Sequence, residues 1–156
     1  MSLNETMTKL GNAVRQQYLL KDKLKLDEMA DLLAQPTILK DSLAPTIFSE
    51  GASITMDDSV PLISTVEGGR VALNFSGGCP VGKVIAIYFK ASTTVNGGVP
   101  IEVGPIATVR KQFTITGATM EGYYGTLTYT ANNSLSIVLP ANTSIKMKDL
   151  RVWIVS

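Results

Sequence analysis

The chain has 156 residues, 45% of them hydrophobic and 17% charged, with 14 basic against 13 acidic side chains. That length supports one domain with its own core, the composition argues against disorder, and a net charge of +1 supplies no bulk field to attract nucleic acid. There is no histidine and one cysteine, Cys79, which removes His-based triads, His or Cys-cluster metal centres and internal disulfides.

No stretch approaches the roughly 18 apolar residues that a membrane-spanning helix needs. The first residues, Met1-Ser2-Leu3-Asn4-Glu5, lack a basic region followed by an apolar core. The expectation is therefore a protein made and folded in a cytoplasm, without membrane insertion.

The composition changes near residue 36. Residues 1–35 carry 10 of the 27 charges and no proline, whereas residues 36–156 carry all seven prolines and 12 of the 13 glycines. The expected division is an N-terminal helical segment over 1–36 and a β-sandwich domain over 37–156. Ser2-Leu3-Asn4-Glu5 fits a capping box, in which the Ser2 hydroxyl and the Glu5 carboxylate each satisfy a free amide of the first turn. Leu3, Met7, Leu10 and Val14 follow at helical spacing and form one apolar stripe. The stripe suits docking on the chain's own domain or self-association through these four residues, and two heptads do not decide between them. After the polar break Lys21-Asp22-Lys23, residues 26–33 read as a short second helix, ended by Gln35-Pro36.

From residue 46 onward the pattern is many short strands. They are expected at 46–50, 53–56, 61–66, 70–75, 83–91, 101–109, 112–116, 126–130, 134–139 and 144–155, separated by Gly, Asn and Asp clusters. Strands at this spacing predict a mainly β fold, an antiparallel sandwich or jelly-roll-like domain. Residues 84–89 are apolar throughout and read as a central strand, and Asn132-Asn133 reads as a hairpin turn.

Chemical motifs are few. Gly77-Gly78-Cys79-Pro80-Val81-Gly82-Lys83 matches the opening of a phosphate-binding loop, but Val84 stands where a magnesium-binding hydroxyl belongs and an apolar strand replaces the helix, so a turn is the better reading. Asp57-Asp58 lacks the spacing of a cation loop, and Glu102 with Glu121 is a weak acid pair among eight acids scattered over the β region. No catalytic residue, metal site or cofactor is expected. Lys146, Lys148 and Arg151 suit either contact with a phosphate-bearing polymer or a charged face that protects an edge strand, and the edge reading is preferred. Tyr123, Tyr124 and Trp153 are the candidates for stacking on sugar rings. Adjacent Tyr123 and Tyr124 must point to opposite faces of a strand, and Trp153, between Val152 and Ile154, also suits a core position.

The opening residues carry a resemblance. Ala13-Val14-Arg15 followed by Asp22-Lys23-Leu24-Lys25-Leu26-Asp27-Glu28-Met29 resembles a short module at the start of tail and baseplate proteins of siphophages of Gram-positive hosts, although Gln16-Gln17-Tyr18 replaces its usual Lys-Thr-Gly. The likeness covers about 35 of the 156 residues. The β region is similar in kind, not in residues, to the sandwich domains of lactococcal receptor-binding proteins. The resemblance implies a non-enzymatic virion component made in the host cytoplasm. Such a component would be a homo-oligomer, a trimer by analogy, attached to other tail proteins and contacting host cell-wall polysaccharide. The alternative is a stand-alone carbohydrate-binding module.

Overall fold

The computed structural model describes residues 2–20, 25, 28–30, 37–40, 48–58, 60–74, 80–105, 110–130 and 134–155. One helix, α1 (Leu3–Tyr18), precedes nine strands: β1 (Thr37–Lys40), β2 (Phe48–Asp57), β3 (Val60–Asn74), β4 (Val84–Ser92), β5 (Val99–Gly104), β6 (Lys111–Ile115), β7 (Glu121–Thr128), β8 (Ser134–Leu139) and β9 (Thr143–Ile154). Every pairing between these strands is antiparallel. The fold is mainly β, as expected.

The strands run in the order β6-β5-β8-β3-β9-β4-β7, with β2 on β3 and β1 on β9. This single sheet doubles back on itself through β3. The second half of β3 pairs with β8, from Gly69 opposite Leu139 to Asn74 opposite Ser134. Its first half pairs with β9, from Leu62 opposite Lys146 to Thr65 opposite Thr143. The β2–β3 hairpin therefore passes from one layer of the sandwich to the other. It bends where the register slips between Glu50 and Ala52. Gly51 has φ +65 there, and a side chain on Gly51 would strike the Gly68 carbonyl.

The interior is built by alternation. Val99, Ile101 and Val103 of β5, Leu135 and Ile137 of β8, and Val71 and Leu73 of β3 are all fully buried and face Ile85, Ile87 and Phe89 of β4. Each such side chain contributes about 2 kcal/mol by leaving water. The open side of the fold is closed by rings. Phe89 meets Phe113 of β6 edge-on at 5.0 Å and stacks on Tyr123 of β7 at 5.4 Å.

A second, smaller cluster lies on the outer face of β4 and β9. Val14 of α1 packs on Ala86, Tyr88 and Trp153, with Tyr18, Met29 and Tyr124 around them. The predicted capping box is present, the Ser2 amide donating to Glu5 Oε2 at 2.7 Å. The helix ends at Leu19, which is left-handed with φ +56. Tyr88 Oη then donates to the Tyr18 carbonyl at 2.9 Å, and the Gly122 amide donates to the Leu19 carbonyl at 2.9 Å.

Several sequence expectations change. The strands expected at 46–50 and 53–56 are one strand, β2, and those at 61–66 and 70–75 are one strand, β3, because the intervening glycines bend paired strands rather than ending them. The hairpin expected around Asn132-Asn133 does not form: β7 pairs with β4, and β8 pairs with β3 and β5. Tyr129, just after β7, is fully buried and donates its hydroxyl to the Ser134 carbonyl at the start of β8. Residues 84–89 do lie in a central strand, with β9 on one side and β7 on the other. Of the second helix, residues 28–30 are helical, and 26, 27 and 31–33 lie outside the described residues, as do 75–79 with Cys79. Among the described residues, no helix is long and apolar enough to cross a membrane.

Candidate functional site

Two open clefts lie on the outside of the sandwich, each lined by exposed and buried residues together. The first lies at the end of the sandwich where the β2–β3 hairpin, the β4–β5 loop and the start of β9 meet. It has a volume of about 350 Å³ and is lined by Asp57, Leu62, Ser92, Thr93, Thr94, Ala118, Ser144 and Lys146. Thr93 fixes its shape: the Thr93 amide donates to the Gly117 carbonyl at 2.8 Å, and its hydroxyl donates to the Ser144 carbonyl at 2.7 Å. Lys146 Nζ sits 2.9 Å from Asp57 Oδ2. The hydrogen bond to Asp57 holds the Lys146 ammonium above its ordinary pKa. The wall thus offers hydroxyls, one paired carboxylate and one paired ammonium, which are groups that exchange hydrogen bonds with a polyhydroxylated ligand.

The second cleft crosses the outer face of β5, β6 and β8. It measures about 360 Å³ and is lined by Pro100, Glu102, Gln112, Val138 and Pro140, with Ile101 and Leu139. Glu102 accepts from Gln112 Nε2 at 3.1 Å and from Arg110 Nη1 at 3.0 Å. These bonds, Gln112 first, lower its pKa below the usual carboxylate value. Strand pairing sets Gln112, Glu102, Val138, Arg70 and Glu50 side by side across five strands, and Arg70 is ion-paired to Glu50 at 2.7 Å.

The three proposed stacking residues are not brought onto one open surface. Tyr123 turns inward against Phe89, and Tyr124 and Trp153 turn outward beneath α1, with ring centroids 6.2 Å apart. Trp153 is 4% exposed. Among the described side chains no aromatic ring is exposed, so a ligand at either cleft meets polar groups and aliphatic edges instead of a ring. The apolar stripe of α1 is divided. Val14 is buried at 2% exposure, Met7 is half-buried, and Leu3 and Leu10 stand out at 76% and 43%.

The acidic candidates are separated too. Glu102 belongs to the second cleft, and the Glu121 carboxylate lies 3.5 Å from Tyr123 Oη on β7. Asp57 turns to Lys146 rather than forming a carboxylate pair with Asp58, and among the described residues no group of three acids or thiols could hold a metal ion. The edge-strand reading is overturned at Lys146, which has β4 on one side and β3 on the other, and at Arg151, which has β4 and β1, whereas Lys148 is paired on the β4 side alone among the described strands. Ser92-Thr93-Thr94 and Ser144 were missed in the sequence. Their one local signal is a run of three hydroxyl residues directly after an apolar strand and just before Asn96-Gly97-Gly98.

Together these features define the class: an antiparallel β-sandwich with open clefts of mixed polar and apolar lining on its outside. No protein-family model matches the chain, and no curated protein matches it. Solved structures share the fold. One is a family 6 carbohydrate-binding module from a Cellvibrio mixtus lichenase, in complex with cellotriose, at 14% identity and TM-score 0.57, covering 78% of this chain and all of that one. Another is a xylan-binding domain of family 22 from a Paenibacillus barcinonensis protein, at 13% identity and TM-score 0.54, covering 79% of this chain and 97% of that one. The C-terminal family 6 module of a Zobellia galactanivorans laminarinase matches at 12% identity and TM-score 0.53, covering 74% and 98%.

Proposed function

We propose that this chain is a non-catalytic polysaccharide-binding module and that the hydroxyl-lined cleft at Asp57, Ser92, Thr93, Thr94, Ser144 and Lys146 is its binding site. The observation that carries the reading is the cleft itself: an open recess bearing hydroxyls and an ion pair, formed by separate elements and pinned by Thr93. The fold shared with carbohydrate-binding modules supports it. The Asp57–Lys146 pair supplies an acceptor and a donor held in register, which costs a bound sugar little reorganisation. Binding is read by pull-down and calorimetry on cell-wall and plant polysaccharides. Asp57→Ala and Thr94→Ala should each weaken it about tenfold, the loss of one good hydrogen bond. Glu102→Gln, in the other cleft, should leave it unchanged. The reverse pattern would move the site to the outer face of β5, β6 and β8.

A second reading concerns attachment and is favoured by the exposed half of the α1 stripe, Leu3 and Leu10. In it, α1 joins the chain to further copies or to other tail proteins of a siphophage, and the sandwich is displayed from the virion toward the host wall. The two readings are compatible, since one uses the exposed Leu3 and Leu10 of α1 and the other a cleft that α1 does not line.

A further inference from the structure

The outer face of β9 carries a row of cations that neither the fold nor the cleft explains. Lys146, Lys148 and Arg151 project from this one strand. Register places Ser92 opposite Lys146, Lys90 opposite Lys148, and Tyr88 opposite Arg151. Lys90 and Lys148 are thus directly opposed like charges on neighbouring strands, an arrangement that destabilises a sheet. It is tempered on one side only: Lys90 Nζ pairs with Asp149 at 3.0 Å, Asp149 being turned to it by a bulge at φ +55. Lys146 pairs with Asp57. Lys148 is exposed, and among the described residues no acid pairs with it. Among the described residues, four cations thus meet two paired acids on this face. Asp58, at the hairpin tip, is a further acid near Lys146. β9 is flanked on both sides at Lys146 and at Arg151, whereas no described strand pairs with Lys148 on the side away from β4, so protection of a bare edge bears on Lys148 alone and does not account for the row.

The row begins in the hydroxyl-lined cleft at Lys146 and continues away from it for roughly 15 Å at strand rise. Resting on the polysaccharide-binding reading above, we propose that the ligand is an anionic polysaccharide, a hydroxylated chain bearing repeated negative charges. Its hydroxyls occupy the cleft of Ser92, Thr94 and Ser144, and its next charged groups lie along Lys148 and Lys90. Carboxylate and phosphodiester charges are equivalent in this arrangement, because an ammonium recognises either as a point charge.

The test uses the full chain with three polymers: polygalacturonate, a poly(glycerol phosphate) and a neutral β-glucan. The expected result is binding of one or both polyanions, weakened tenfold or more on raising salt from about 0.02 to 0.3 M, as counterion-linked contacts require. The β-glucan should bind at least tenfold more weakly. Lys148→Ala should weaken polyanion binding several-fold and Lys148→Glu more than tenfold, while Lys83→Ala at the other end of β4 leaves it unchanged. Lys148 is exposed, so these variants should fold, and near-ultraviolet circular dichroism checks it. If the β-glucan binds as tightly as the polyanions and without salt dependence, the charge inference falls and polysaccharide binding stands. If no polysaccharide binds the folded chain, both fall. Equal affinity for single-stranded DNA would also overturn the inference, since the row would then be a general polyanion surface.

Discussion

Gly122 shows how one atom decides the docking of α1. A side chain there would overlap the carbonyl of Tyr18, where the helix end crosses β7. Gly122→Ala should therefore displace the helix terminus and cost about 2 kcal/mol in denaturant unfolding. An unchanged midpoint would show that the helix end tolerates the shift. Tyr88 acts at the same contact. Its ring is fully buried, and burial first, then the Asp149 charge, pushes the phenol above its ordinary pKa of 10.0. The folded value lies above the unfolded one, so the neutral phenol stabilises fully below the unfolded value and progressively less as pH rises toward the folded one. Unfolding should steepen above pH 10.0, and Tyr88→Phe should remove that slope while costing about 1 kcal/mol at neutral pH through the lost bond to Tyr18. A variant curve as steep as the parent's would refute the assignment. Glu102 has the opposite sign. Bonds from Gln112 and Arg110 lower its pKa, so its contribution is present above the ordinary carboxylate value and lost as pH falls through the folded one.

At the scale of elements, α1 and the β2–β3 hairpin divide the lesson. The capping box and the stripe of α1 were legible because a helix writes its start and its apolar face in local spacing. Which part of the stripe is covered was not legible: Val14 meets Trp153, 139 positions further along the chain. If the exposed part joins further copies, the double variant Leu3→Ser/Leu10→Ser should reduce the mass measured by light scattering to that of one chain. An unchanged mass removes attachment between copies. In the hairpin, glycines at 51, 68 and 69 fall between the expected strands, yet both strands run on through them, and pairing resumes on either side of an interruption in which 51 and 66–69 have no partner across the hairpin. Sequence marks such a position as irregular without saying whether pairing survives it. Gly51→Ala, forced into φ +65 against the Gly68 carbonyl, should cost about 2 kcal/mol or more, read from the same denaturant titration.

For the whole molecule, the order β6-β5-β8-β3-β9-β4-β7 joins strands distant in sequence, so folding should be slow, in milliseconds to seconds. Protection should follow packing. Amides of residues 85–88, buried and paired on both sides, should exchange only on global unfolding, while those of residues 3–10 on α1, largely exposed, exchange far sooner. Equal protection in hydrogen-exchange measurements would contradict this placement of α1.

Local periodicity already stated the strand-rich class, the helical start, the apolar central strand at 84–89 and the opposite facing of Tyr123 and Tyr124, because side-chain alternation and helix capping act over a few residues. Pairing was another matter. That β7 leaves β8 for β4, that β9 has strands on both sides at its two ends, and that Asp57 meets Lys146 beside Thr93 all depend on contacts 30 to 116 residues apart in the chain, and a sequence does not carry such separations in its period.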